Sequence, residues 1–377
     1  MPPRWYGSAL RLERRHERAA CCAAWDRPRR ENMPVNAMPA EFSYTSDLCA
    51  RNGMPQRWID VSQLATVRPG AEVVFELPAG ERARLSALLG ELDDPYDELR
   101  FAELVAQSHA LLERTGAFDP VRAIRSPLNA GFYLLRNLPV CDPASRGATN
   151  ERLLLMAAAA LGSPFGFEAW HRSEIVHSIE PKQGAADQQL GDGNVELLWH
   201  VEDAHTALAP DYFALLCVRA DPAVRTFVRK IDVRELDAST LQRLSEESFL
   251  IGADESFRER SAERAAVLSY RPDGGLAVRY DPLYTTCASP EHAAALDVLT
   301  SCLADGATGI VLEAGDMLVV DNRAAVHSRS SYTPRFDGRD RLLRKVFIRT
   351  EPLAAHDAAS SSPFLVAAPA AEGIPSC

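Results

Sequence analysis

Apolar residues return at three- and four-residue spacing over Glu81 to Leu92 and again over Leu99 to Thr115, with Asp93-Asp94-Pro95 breaking the run between them. That period predicts two amphipathic helices packed on one side of a core. Glu151 to Leu161, rich in alanine and leucine, predicts a third. Elsewhere the pattern shortens to apolar runs bounded by turn residues, which is how buried strands read. Such runs lie over Asn129 to Pro139, Glu174 to Pro181, Asp211 to Arg219 and Gly275 to Tyr284. Asp187 to Asn194 is polar and glycine-containing and predicts a mobile loop. Asp232 to Glu247 carries a thin stripe of Leu236, Leu241 and Leu244, which suits either a lid or a plain surface helix.

Two further apolar runs lead directly into side chains that can bind a metal. Leu197-Leu198-Trp199 is followed by His200-Val201-Glu202, and Met317-Leu318-Val319-Val320 runs on through Asp321 and Asn322 to His327. On an extended chain, residues two apart point to the same face, so His200 and Glu202 can grip a single ion. With His327 added from a neighbouring strand, the set becomes two histidines and one carboxylate with open positions opposite, which suits non-haem Fe(II). Taken alone, the His-X-Glu triplet also reads as a solvated strand end and His327 as a core histidine. Beyond His327, Phe336-Asp337-Gly338 forms a turn into a returning strand that carries Arg341, Arg344 and Lys345. A guanidinium placed there can hold a dicarboxylate by a bidentate pair.

Read in order, the segments Asn194 to Glu202, Gly315 to His327 and Pro334 to Arg341 resemble the clavaminate synthase-like Fe(II)/2-oxoglutarate oxygenases, over roughly residues 126–350. Within that group the chain looks most similar to the hydroxylases of free arginine, lysine and asparagine. The resemblance implies a mainly β, α+β fold, a double-stranded β-helix (jelly roll) with flanking helices. It implies Fe(II) on His200, Glu202 and His327, 2-oxoglutarate held by Arg341 with Thr226, and O2 as the oxidant. It implies substrate contacts from His177, Asp281 and Lys345. At each of the last three this chain departs from the pattern. His177 stands where glutamine is common, Lys345 stands where many relatives have arginine, and Leu283 takes the place of a second aspartate beside Asp281. One carboxylate instead of two suggests a smaller or less cationic substrate side chain.

The implied reaction is hydroxylation of an unactivated C–H bond in a free amino acid or amino-acid-derived metabolite, in specialised (antibiotic) biosynthesis. Desaturation or cyclisation, the same chemistry on an aminoacyl group tethered to a carrier protein, and a silent metal- or ligand-binding barrel are the alternatives. The intact set of His200, Glu202, His327 and Arg341 argues against the silent barrel.

Composition changes this picture little. A chain of 377 residues with 46% hydrophobic and 25% charged content can bury one large core. The expected division is a disordered leader over 1–45, one oxygenase domain over 46–352 and a flexible tail over 353–377. Within the domain, 73–125 is expected to be helical and 126–352 to form the jelly-roll core. A net charge of -11 argues against nucleic acid as a partner. No uncharged apolar run approaches membrane-spanning length. The eight cysteines lack Cys-X2-Cys pairs, which suits free thiols in a reducing cytoplasm.

Overall fold

The computed structural model describes residues 73–367 apart from 93, 126–129, 143–146, 169–172, 255–256, 258–261, 272–274 and 305–306. The expected leader lies outside the described residues.

β1 (Val74–Glu76) runs parallel beside β2 (Phe132–Arg136), and the chain between them builds α1 (Ala79–Gly90) and α2 (Phe101–Thr115). The buried positions of α2 are Phe101, Leu104, Ser108, Leu111 and Leu112, one face at three-four spacing. Gly116, at φ 63°, ends the helix in the left-handed conformation and donates its N–H to the Leu112 carbonyl. α3 (Thr149–Leu161) is buried on nearly every side, because it lies between α2 and a sheet. Its polar residues are paired: Arg152 with Asp94 and Gln107, and Glu151 with Arg344. Directly after α3, a Cβ on Gly162 would stand 1.9 Å from the Arg349 carbonyl oxygen, so only glycine lets the two backbones approach this closely.

β3 (Ser163–Phe167), β4 (Val176–Ile179), β5 (Leu197–His200), β6 (Tyr212–Arg219) and β7 (Thr226–Lys230) follow. After α4 (Ala238–Leu244) come β8 (Phe249–Gly252), β9 (Ala262–Ala265), β10 (Leu268–Tyr270), β11 (Leu276–Val278) and β12 (Thr285–Cys287). Next are α5 (Pro290–Ala304), β13 (Thr308–Ile310), β14 (Met317–Asp321), β15 (Ala325–Arg329) and β16 (Leu342–Arg349). β17 (Ala358–Ala359) and β18 (Ser362–Val366) close the described chain.

Among the described residues, nine strands form a large sheet in the order β1-β2-β14-β6-β16-β3-β18-β17, with β4 also paired to β16. A four-stranded sheet has the order β13-β7-β15-β5. The alternation along β6 shows how the layers stack. Tyr212, Ala214 and Leu216 join the cluster that includes α2 and α3, while Phe213, Leu215 and Cys217 join Val228, Ile310 and Ala325 of the smaller sheet. Helices therefore cover one face of the large sheet and the small sheet covers the other. The fold is mixed α/β with many strands.

Several expectations shift. The tail expected to be loose from 353 carries β17 and β18; β18 runs parallel to β3, where Leu365 and Val366 bury against its edge. Over Asp232 to Glu247 only Ala238–Leu244 is α-helical, and Leu236 and Leu244 pack into the core with Phe249, Leu299 and Leu303. None of that segment's residues lines the pocket described below. The strand expected over Gly275 to Tyr284 is extended only at β11, beyond which the chain turns through Asp281. Cys141, Cys217, Cys287 and Cys302 are free thiols, and the other cysteines lie outside the described residues. No described helix is long and apolar enough to cross a membrane.

Candidate metal centre and pocket

His327 on β15 stands directly opposite His200 on the antiparallel neighbour β5, and their ring centroids are 4.1 Å apart. Glu202 arrives differently from the strand alternation expected of it. β5 stops at His200, and Glu202 lies just past the strand end. The side chain of Asn322 fixes it there: its Oδ1 accepts the Glu202 N–H at 2.8 Å, and its Nδ2 donates to the carbonyls of Glu202 and Pro210. The next residue, Asp203, takes φ 53°, a left-handed turn that peels the chain off the sheet.

The side-chain donors of His200, Glu202 and His327 all lie within 4.8 Å of one another, with His327 Nε2 3.5 Å from Glu202 Oε1. His200 Nδ1 is 2.7 Å from the Leu198 carbonyl and donates to it, which leaves Nε2 with its lone pair free for a metal. His327 Nδ1 is buried with no hydrogen-bond partner among the described residues. Two imidazoles and a carboxylate at these separations fit one Fe(II) held on a single face.

Burial, and then the neighbouring His327, push His200 down to about 4, so the ring is neutral near pH 7. Burial alone would raise the Glu202 carboxyl, but the Lys345 ammonium and His327 outweigh it and hold it well below the usual carboxylate range. Lys345 Nζ donates to Glu202 Oε2 at 3.0 Å and lies 4.6 Å above the Phe347 ring.

A pocket opens beside these residues between the two sheets. At one end Arg341, buried just before β16, points Nη2 at Thr226 Oγ1, 3.5 Å away at the start of β7. Burial lowers the Arg341 guanidinium from its ordinary value. The other end is acidic. Asp281 turns its Oδ1 to the Leu283 N–H at 2.9 Å, and burial raises its carboxyl while nearby His200 opposes the rise. His177 on β4 is the cross-strand partner of Lys345 and is buried, with Nε2 2.8 Å from the Glu174 carbonyl and its ring edge on Phe347. His177, His200, Glu202, Thr226, Asp281, His327, Arg341 and Lys345 all line this pocket.

Other pocket residues escaped the sequence reading. Asp203 and Asp254 share the wall with Asp281, so the loss of an aspartate at Leu283 does not leave a single carboxylate there. Asp203 is buried, and burial together with Glu202 raises its carboxyl well above the ordinary range. Adjacency to the metal triplet was the available signal for Asp203. Arg329, two residues beyond His327 on the same strand, also lines the pocket, and strand alternation could have found it.

No family model matches the chain. Among known proteins it is similar to the enduracididine beta-hydroxylase of Streptomyces hygroscopicus, 29% identical over 320 residues, which is 73% of this chain and 94% of that protein. Clavaminate synthase 2 of Streptomyces clavuligerus is 31% identical over 256 residues, covering 62% of this chain and 78% of that one. L-asparagine oxygenase of Streptomyces coelicolor is 34% identical over 240 residues, covering 59% and 72%. Among solved structures, the non-heme iron oxygenase OrfP in complex with Fe and alpha-ketoglutaric acid superposes with a TM-score of 0.70 at 26% identity, over 78% of this chain and 99% of that one.

Proposed function

Because the chain belongs to the clavaminate synthase-like Fe(II)/2-oxoglutarate-dependent oxygenases, we propose that it hydroxylates an unactivated C–H bond of a free amino acid or amino-acid-derived metabolite in specialised biosynthesis. It is an oxygenase that uses Fe(II), 2-oxoglutarate and O2. The observation that carries the reading is the convergence of His200, Glu202 and His327 within 4.8 Å, with Arg341 and Thr226 at the same pocket. We read the two facing sheets as a double-stranded β-helix within one oxygenase domain, 46–352, with β18 and β17 extending the large sheet beyond β3.

Fe(II) with 2-oxoglutarate supplies the activation of O2 that inserts one oxygen atom into the substrate C–H bond and leaves succinate and CO2. The side chains supply placement. His200 and His327 offer ring nitrogens and Glu202 a carboxylate oxygen. Asn322 holds Glu202 by its backbone, so the carboxylate need not be ordered when metal arrives. Arg341 and Thr226 receive the far carboxylate of 2-oxoglutarate, a charge-assisted pair in a buried setting. Lys345 spends one N–H on Glu202, which leaves donors for a substrate carboxylate. Asp281 faces the ammonium or a basic side chain, and His177 borders the same space. Closely spaced walls keep the reacting carbon oriented and water out.

The test is succinate formation from 2-oxoglutarate with Fe(II) and ascorbate across free amino acids, with His200→Ala as control. Stimulation by one amino acid, absent in the variant, is the expected result. Equal turnover by the variant would refute the metal assignment, and basal turnover alone would move the substrate to an aminoacyl group on a carrier protein.

A further inference from the structure

Arg329 is the cross-strand partner of Thr226, so its side chain leaves the small sheet on the same face as the Thr226 hydroxyl that Arg341 approaches. It is 4% exposed and lines the pocket. Neither Arg329 nor Arg341 makes an ion pair among the described residues, although buried guanidinium groups are ordinarily matched by a carboxylate. Arg341 approaches the same Thr226, so the two guanidinium groups share one end of the pocket.

The donors of Arg329 go elsewhere. Its Nη1 donates to the Gly191 carbonyl at 3.1 Å and its Nη2 to the Val195 carbonyl at 2.5 Å, while its guanidinium lies 5.1 Å over the Tyr332 ring. Both carbonyls belong to the irregular segment 181–196, which is stitched mainly to itself: Lys182 to Asp192, Asn194 to Ala186, and the Gln189 side chain to Glu196 and Leu198. That segment contributes Gln189, Leu190, Gly191 and Asp192 to the pocket wall. A second tie runs between Asn194 and Tyr332, whose ring Arg329 covers. The guanidinium thus touches the loop with its nitrogens and faces the Arg341 end with its charge.

We propose that Arg329 is a positioning residue that couples cosubstrate to loop: the far carboxylate of 2-oxoglutarate neutralises the Arg329–Arg341 end and thereby fastens segment 181–196 over the pocket before substrate enters. This rests on the assignment of Arg341 and Thr226 to 2-oxoglutarate. An empty anion site leaves two buried cations repelling each other, which loosens the grip of Arg329 on Gly191 and Val195. A carboxylate between them removes that repulsion, and the same hydrogen bonds then hold. The loop is built of turns with no strand or helix of its own, so a change of two hydrogen bonds is a large share of what keeps it closed.

Amide hydrogen exchange of the full chain, loaded with Mn(II) in the absence of O2, tests this with and without 2-oxoglutarate, alongside the dissociation constant for 2-oxoglutarate. Saturating 2-oxoglutarate is expected to slow exchange over 182–196 in the wild type by ~10-fold. Arg329→Met should bind 2-oxoglutarate about 10-fold more weakly and show no slowing at saturation. Arg329→Lys should recover affinity without recovering the slowing, because one ammonium cannot span both carbonyls. Slowing retained in Arg329→Met would overturn the proposal. So would a wild type that binds 2-oxoglutarate with unchanged exchange, an outcome that leaves the cosubstrate site standing and decides the question even if the variants misfold. A wild type that fails to bind 2-oxoglutarate at all would instead overturn the assignment of Arg341 and Thr226, and the coupling with it.

Discussion

Lys345 Nζ stands 3.0 Å from Glu202 Oε2, so the carboxylate offered to the metal is already neutralised from its other side. Both side chains are nearly buried, at 10% and 13% exposure. In Lys345→Met the metal-free protein keeps a buried carboxylate with less compensation, and an expected loss of about 3 kcal/mol follows. Bound Co(II) should recover most of that loss, since the metal replaces the missing positive charge. Urea midpoints with and without Co(II) check it; a loss that metal leaves untouched would mean the pair is unrelated to the metal centre. The KM for the amino acid should rise by at least ~10-fold in the same variant, with Lys345→Arg closer to wild type.

Removing the Arg341 guanidinium takes away a charge-assisted pair in a buried site. Arg341→Met is expected to weaken 2-oxoglutarate by about 100-fold, and Thr226→Val by about 5-fold. Titration of 2-oxoglutarate into the Mn(II)-loaded variants measures both, and wild-type affinity in Arg341→Met would move the cosubstrate elsewhere.

His200 gives the metal-free protein a pH dependence of known sign. Its folded pKa of about 4 lies below the unfolded 6.5, so the unfolded chain takes up the proton first as pH falls. The stability contributed by the neutral ring is complete above about pH 6.5 and is lost toward pH 4, by at most about 3 kcal/mol. Urea midpoints at pH 7 and pH 5 should therefore drop less in His200→Asn than in wild type. Equal drops would show that His200 is not the group responsible.

Gly162→Ala places a methyl group 1.9 Å from the Arg349 carbonyl oxygen, and the three nearest atoms, from Arg349 and Thr350, are all backbone. A destabilisation of about 3 kcal/mol or more is expected, read from the urea midpoint. A loss below about 0.5 kcal/mol would show that the junction of α3 and β3 can yield.

The helices were legible because periodicity reports which face of an element is buried, and the metal-competent residues because three separated segments resemble one family in order. The three-four spacing of Leu104, Leu111 and Leu112 survives as the packed face of α2. His200 and His327 each follow or lie in an apolar run that folds as a strand, and the two strands pair with these residues in register. Glu202 reaches the same point by another route, a turn held by Asn322, and no local period encodes a hydrogen bond across 120 residues. Asp254 and Gly191 reach the pocket, and the Val195 carbonyl reaches Arg329, from segments with no regular pattern, so only the folded chain brings them together. β18 was hidden for a related reason: Ser362–Val366 is short, and its partner strand lies far away in sequence.

That late strand has a use beyond pairing. Without it, β3 would present an open row of backbone N–H and C=O groups flanked by Phe165 and Phe167, the kind of exposed edge on which chains add to one another. With it, the outermost strand on that side, among the described residues, is β17, only Ala358–Ala359, too short to template another chain. Chains cut after 352 should therefore lose solubility through intermolecular strand addition, although every residue of the metal centre is retained.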